Sequence, residues 1–111
     1  LNASFRNSIF WAESGSVDDE VVVLKEATNP FNVSFMNCIW RAKNTPANTT
    51  RANILVNADP LFENIDVQKR VYDFHLKMGS PAINAGVATG VAFDLDGKAR
   101  TNPPDLGAYE K

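Results

Sequence analysis

The residues of this chain whose types and spacing come closest to a chemical function are two aspartates near the C-terminus. Asp94 and Asp96 are two positions apart and are followed by Gly97, which is half of a calcium-binding loop. The third acidic position and the closing glutamate of an EF-hand loop are missing. The alternative is a tight turn whose carboxylates bond local backbone or pair with Lys98 and Arg100. We favour the turn, and Ca²⁺ at Asp94 and Asp96 is the only cofactor hypothesis.

Candidate acid–base and nucleophilic residues are few. His75 is the only histidine, and strand alternation places it on an outer face beside Asp73 and Lys77. General-base catalysis needs a nucleophile and an orienting group within reach, and the sequence shows neither. Cys38 is the only cysteine, so an internal disulfide and a cysteine-based zinc site are excluded. We expect Cys38 to be a small, inert interior residue, and we predict no catalytic residue.

Two tryptophans are candidates for carbohydrate binding. Trp11 and Trp40 stand at the ends of two strand-like stretches. Flat aromatic faces stack well on sugar rings, so the pair could form an aromatic platform. The alternative is that both rings cover a corner of the core, which is the more common role of such residues.

Bulk properties narrow the function classes. The chain has 111 residues, enough for one domain with a real core. Its net charge of −2 argues against a nucleic-acid partner, because phosphate binding needs a concentrated basic face. No apolar run approaches the ~20 residues that a membrane-spanning helix requires.

The elements that would position these residues begin with a repeat. Residues 2–10 (NASFRNSIF) return thirty residues later as residues 32–40 (NVSFMNCIW), with five of the nine positions identical. A period of this length indicates units that bury their apolar faces by stacking on copies of themselves. Because the repeated unit is strand-like, we expect parallel pairing in register. Phe5 should then lie on Phe35, one strand spacing of ~4.8 Å away.

The repeat also predicts a polar column and a bend. Asn7 returns as Asn37, and a bend after Asn7 would turn Ser8 and its counterpart Cys38 inward. Stacked Asn or Ser side chains can satisfy one another from copy to copy, so such a column is compatible with a packed interior.

Further strands are expected between the repeat and the C-terminal region. Residues 21–24 (VVVL) form a continuous apolar run, typical of a strand buried in a parallel sheet. Residues 54–56 form a short third strand, and residues 71–77 (VYDFHLK) alternate cleanly. The residues that this alternation places inward are Tyr72, Phe74 and Leu76.

The C-terminal region changes character. Residues 80–86 (SPAINAG) combine a Ser N-cap, a Pro at the first position and a closing Gly, which predicts one helical turn. The prolines of residues 103–110 (PPDLGAYE) cannot extend a sheet, but this segment can lay Leu106 and Tyr109 across an exposed core. We therefore predict a single domain, with stacked strands over about residues 1–77 and a cap over about residues 78–111.

Five motifs in the second half of the chain resemble a recurrent C-terminus. They are residues 58–62 (ADPLF), 73–77 (DFHLK), 79–86 (GSPAINAG), 94–97 (DLDG, with Arg100) and 104–110 (PDLGAYE). In order and spacing they are similar to the end of secreted bacterial right-handed parallel β-helix proteins of the pectin-lyase-like class, many of them from Bacteroides-type organisms. The repeated strands resemble the rungs that precede this end. Within that group the chain looks most similar to C-terminal domains of uncharacterised function.

The resemblance implies an all-β fold, a short right-handed parallel β-helix of a few rungs with an irregular C-terminal cap. It also implies a secreted or cell-surface bacterial protein, of which this chain is the end. The expected partners are upstream rungs or domains of the same chain and a polysaccharide, with no nucleic acid and no membrane span.

Some relatives of this fold are polysaccharide lyases, which remove a proton beside a uronate carboxylate with a Lys or Arg base and often bound Ca²⁺. That chemistry needs basic and acidic side chains stacked on one outer face. Arg6 is aligned with Met36, which breaks any basic column, and neither repeated strand contains an acidic residue. We therefore expect a non-catalytic domain that is structural or glycan-contacting. The alternative is the C-terminal part of a lyase whose active groove lies mainly upstream.

Overall fold

The computed structural model describes residues 1–26 and 28–111. Strands in these residues form two sheets, without an α-helix, and no helix there is long and apolar enough to cross a membrane. In chain order the strands are β1 (Asn2–Arg6), β2 (Ile9–Phe10), β3 (Asn32–Trp40), β4 (Thr50–Val56), β5 (Phe62–Asp66) and β6 (Val71–Leu76).

The larger sheet is parallel, and β3 lies at its centre. The first copy of the repeat, β1 and β2, pairs with one edge of β3, and β4 pairs with the other edge. Phe5 is in register with Phe35, and their rings stack with centroids 4.9 Å apart. Ile9 is likewise in register with Ile39. The parallel register predicted from the repeat is confirmed.

A bend occurs at one register position in all three layers of this sheet. Asn7, Asn37 and Asn53 have φ values of 52°, 53° and 55°, in the left-handed region that asparagine tolerates better than most residues. One such residue changes the alternation of side chains along the strand. Cys38 therefore turns to the same buried cluster as Phe35, as expected for a bend after the asparagine.

The predicted right-handed parallel β-helix is wrong. The parallel sheet is open, and the remaining strands, β5 and β6, form a separate antiparallel pair. A closed coil needs further strands in its connecting segments that stack from layer to layer, whereas the described residues of 11–31 and residues 41–49 form no strand. Residues 21–24 form no strand: Val21 is buried, but Val22 and Leu24 are 66% and 81% exposed. The second parallel sheet that would close the coil is therefore missing from the described residues.

The core consists of two clusters of buried side chains that both include residues of β3. One contains Val33, Phe35, Cys38 and Trp40 together with residues of the following and preceding connections. The other joins Ile39 to side chains from β6 and the C-terminal region, namely Leu76, Ala82 and Leu106. Through Ile39, the central strand β3 therefore packs against both β6 and the C-terminal region.

The β5–β6 hairpin is less buried than its alternation predicts. Tyr72 and Phe74 are 53% and 45% exposed, and only Leu76 of the predicted inward set is buried. A two-stranded sheet has little core of its own to cover. Its aromatic rings pack on one another instead, with Phe62 edge-on to Phe74 at a centroid distance of 5.2 Å.

The C-terminal region covers the core without regular structure. The predicted helical turn at residues 80–86 is a series of turns rather than an α-helix. Its first residue still acts as a cap, because Ser80 Oγ accepts a hydrogen bond from the Ala82 amide at 3.1 Å. Leu106 is 1% exposed, as predicted for a residue that covers the core.

Candidate functional site

The two tryptophans do not form a shared platform. Trp40 is 1% exposed and packs edge-on against Phe35 at 5.2 Å, so no sugar ring can reach its faces. Trp11 is half-buried, and the guanidinium carbon of Arg41 lies 4.3 Å from the centre of its ring. Arg41 is held there by a 2.8 Å hydrogen bond to the Ala12 carbonyl. Of the two predicted carbohydrate-binding residues, only Trp11 is not fully buried, and its ring nitrogen is buried without a hydrogen-bond partner.

Asp94 organises a tight turn. Its Oδ1 accepts hydrogen bonds from the amides of Asp96 and Lys98 at 2.9 and 2.8 Å, and its Oδ2 accepts one from the Glu110 amide at 2.8 Å. These bonds, the one from Glu110 foremost, lower the pKa of Asp94 below its ordinary value. Three backbone donors thus engage the carboxylate that the calcium hypothesis requires, as the alternative of a tight turn predicts.

Asp96 belongs to a different cluster, which we call the His75 cluster and which also contains Asp73 and Tyr109. His75 Nε2 lies 2.8 Å from Asp96 Oδ2, and its Nδ1 lies 2.5 Å from Asp73 Oδ1. The imidazole stacks on Tyr109 with centroids 3.9 Å apart. The contacts with Asp96 and then Asp73 raise the pKa of His75. The sequence predicted that His75 lies beside Asp73. It did not predict the contacts with Asp96 and Tyr109, which are 21 or more positions away along the chain.

This geometry favours an ion-paired link over catalysis. A general base or a metal ligand needs a free ring nitrogen, and both nitrogens of His75 face carboxylates. Within residues 1–26 and 28–111, no group of three or more His, Cys, Asp or Glu side chains is arranged to hold a metal ion. The cluster therefore joins β6 to the C-terminal region.

Cys38 is an interior residue, as predicted. Its side chain is fully buried beneath the strand bend, and its Sγ lies 3.4 Å from the Met36 carbonyl oxygen. Burial raises the pKa of the thiol, so the reactive thiolate is disfavoured.

The asparagines of the bend attach the C-terminal region to the parallel sheet. Asn7 Nδ2 donates to the Val87 carbonyl at 2.7 Å, and Asn7 Oδ1 accepts from the Val87 amide at 2.9 Å. One layer along, Asn37 Nδ2 donates to the Ala85 carbonyl at 2.8 Å. The expectation that this column satisfies itself from copy to copy is therefore corrected: its partners are the backbone of residues 85–87.

A buried carboxylate holds the last residues of the chain. The Glu110 side chain is 1% exposed, and its Oε2 lies 3.2 Å from Arg100 Nη1. Burial alone would raise the pKa of Glu110, but hydrogen bonds from Thr101, Asp105 and Arg100 outweigh it and hold the pKa below its ordinary value. Arg100 also donates to the Gly107 carbonyl at 2.9 Å. These polar residues are structural, and sequence reasoning did not single out Glu110.

A cleft of about 430 Å³ lies between the strand bend and the C-terminal region, lined among others by Arg6, Thr89 and Arg100. Two arginines in one cleft would suit an anion. However, Arg100 is already engaged by Glu110 and by backbone carbonyls, and Arg6 is exposed. The cleft therefore does not present a converging pair of cations.

Comparison of the chain with models of known protein families and with curated proteins finds no match.

Proposed function

We propose that this chain is a non-catalytic structural domain of an exported bacterial protein. Its C-terminal region, about residues 78–111, caps a parallel sheet that is shared with other parts of the same protein. The observation that carries this proposal is the attachment of residues 85–87 to the asparagines of the bend. Together with the burial of Leu106, these hydrogen bonds attach two parts of the C-terminal region to the strands.

The chemistry of the side chains supports a non-catalytic role. His75, the only histidine, has a carboxylate at each nitrogen, and the thiol of Cys38 is buried. At Asp94, backbone amides already take three of the roughly four acceptor positions of the carboxylate. The proposal therefore includes no cofactor.

Secretion or display at the bacterial cell surface is part of the proposal and is supported by the resemblance of the motifs in residues 58–110. Contact with a polysaccharide is its secondary element. It rests on Trp11, because Trp40 is buried. The alternative is that the chain is the C-terminal part of a polysaccharide lyase, and the experiment below distinguishes the two.

The test is to mix the purified chain with polygalacturonate, alginate and chondroitin and to follow the ultraviolet absorbance of unsaturated uronate. We expect no product, with an active lyase as positive control. Turnover that is lost in Arg6→Ala or His75→Gln would overturn the proposal in favour of the lyase. If a glycan binds without turnover, Trp11→Ala should weaken binding. Phe93→Ala, which removes a 60% exposed aromatic ring elsewhere, should leave it unchanged.

A further inference from the structure

The stacked aromatic column of the parallel sheet ends differently on its two sides. Phe5 and Phe35 stack with an interplanar angle of 12°. On the β4 side, the residue in register with Phe35 is Arg51, whose guanidinium donates to the Pro46 carbonyl at 2.7 Å. On the β1 side, Phe5 is 39% exposed, and β1 pairs with β3 alone among the described strands. The column of aromatic rings therefore stops at Phe35 on the β4 side, where Arg51 takes the next register position, and Phe5 is its exposed end.

An apolar groove adjoins the exposed end. It has a volume of about 380 Å³, and the residues that line it include Leu1, Ala3, Phe5, Phe10, Val22 and Leu24. Val22 and Leu24 are 66% and 81% exposed. An unpaired strand edge beside exposed apolar side chains is a site for pairing with another strand.

The repeat identifies the strand that fits this edge. β3 already accepts β1 through parallel hydrogen bonds and the Phe35–Phe5 stack. β1 carries the same Asn-x-Ser-Phe pattern and the same bend at Asn7. The free edge of β1 therefore has the same residue pattern as the edge of β3 that pairs with β1. A further strand of this pattern would pair with β1 in the way that β1 pairs with β3.

We propose that the free edge of β1 binds, in parallel register, a strand that carries the repeat's own pattern, with an aromatic ring on Phe5 and an asparagine beside Asn7. This inference rests on the proposed function, since it names the part of the protein that the sheet accepts. A second copy of this chain fits less well. The free edge of its β4 would bring Arg51, already bound to Pro46, to the aromatic position.

The experiment is a tandem protein in which a copy of residues 2–31 precedes Asn2 of the full chain. The chain's own connection then supplies the strand at high effective concentration. We expect one cooperative transition, with a melting temperature at least about 5 °C above that of the original chain. The matched control carries Phe5→Arg in the added copy only, which imitates Arg51, and it should lose most of this gain.

Two outcomes would overturn the proposal. One is a tandem protein whose melting temperature is unchanged, or raised equally in the Phe5→Arg control. The other is an original chain that self-associates in light scattering and becomes monomeric with Phe5→Arg, which would assign the groove to a second copy. Both readouts are independent of the uronate assay, so failure here is distinguishable from failure of the proposed function.

Discussion

His75 is the residue whose ionisation is coupled to the architecture, because its ring joins Asp73 on β6 to Asp96 in the C-terminal turn. The pKa of His75 is raised above its ordinary value of 6.5 in the folded chain. The stabilisation is therefore fully present below about pH 6.5 and is lost as the pH rises through the raised folded-state pKa. We expect the melting temperature to fall across this window, and His75→Gln should remove the dependence.

The pKa itself can be read by NMR titration, since the chain contains one histidine. Asp96→Asn should lower the pKa of His75 more than Asp73→Asn does, because the contact with Asp96 is the largest cause of the shift. Asp18→Asn is the control: Asp18 pairs with Lys43 and does not contact the ring. A folded-state pKa at or below 6.5 in the original chain would contradict the ion-paired geometry.

At the scale of elements, two asparagines of the strand bend allow the effect of backbone conformation to be measured apart from the effect of attachment to the C-terminal region. Asn7 and Asn53 share a left-handed φ of 52° and 55°, but only Asn7 bonds Val87 through its side chain. Glycine adopts this φ freely, so replacing either residue by glycine keeps the bend. We expect Asn7→Gly to lower the free energy of unfolding by about 1–3 kcal/mol more than Asn53→Gly, from two lost hydrogen bonds. Urea denaturation measures both, and equal losses would show that the attachment contributes nothing.

The same elements show what the sequence could predict. The similarity between residues 2–10 and 32–40 was sufficient to predict the parallel register and the aromatic stack. In register, each apolar side chain of one copy lies beside its counterpart in the other. The similarity was insufficient to predict closure into a coil. Closure depends on the connecting segments, which carry no repeat, and the VVVL run found no partner strand. The alternation of β6 predicted a strand correctly but not its partner, a neighbouring β5 in antiparallel pairing.

At the scale of the whole molecule, the contacts that could not be predicted from the sequence are those between the two halves of the chain. Asp94 was predictable as a turn residue, because its hydrogen bonds to the amides of residues 96 and 98 are local. The pairing of His75 with Asp96 was not, because no periodicity relates β6 to the C-terminal turn. The same holds for Asn7 and Val87, which are 80 positions apart. These long-range contacts attach the C-terminal region to β6 and to the strand bend.

If that region is integral to the core, the two leucines within it should respond very differently to truncation. Leu106 is 1% exposed and packs in the cluster around Ile39, whereas Leu95 is 75% exposed. Leu106→Ala leaves a cavity and should lower the free energy of unfolding by about 2–5 kcal/mol. Leu95→Ala should change it by less than about 0.5 kcal/mol. Thermal and urea unfolding of both variants, at equal protein concentration, supply the comparison.

Deleting residues 103–111 extends this test from one side chain to the whole final segment. It removes Leu106 together with Glu110 and so uncovers Ile39 while leaving Arg100 without its carboxylate. Exposed apolar surface and the loss of the hydrogen bonds between Arg100 and residues 105–110 both destabilise the folded state. We expect the shortened chain to aggregate or to lose its cooperative transition. A monomeric shortened chain with an unchanged melting temperature would show that these residues lie on the sheet without stabilising it, and the capping role would then be wrong.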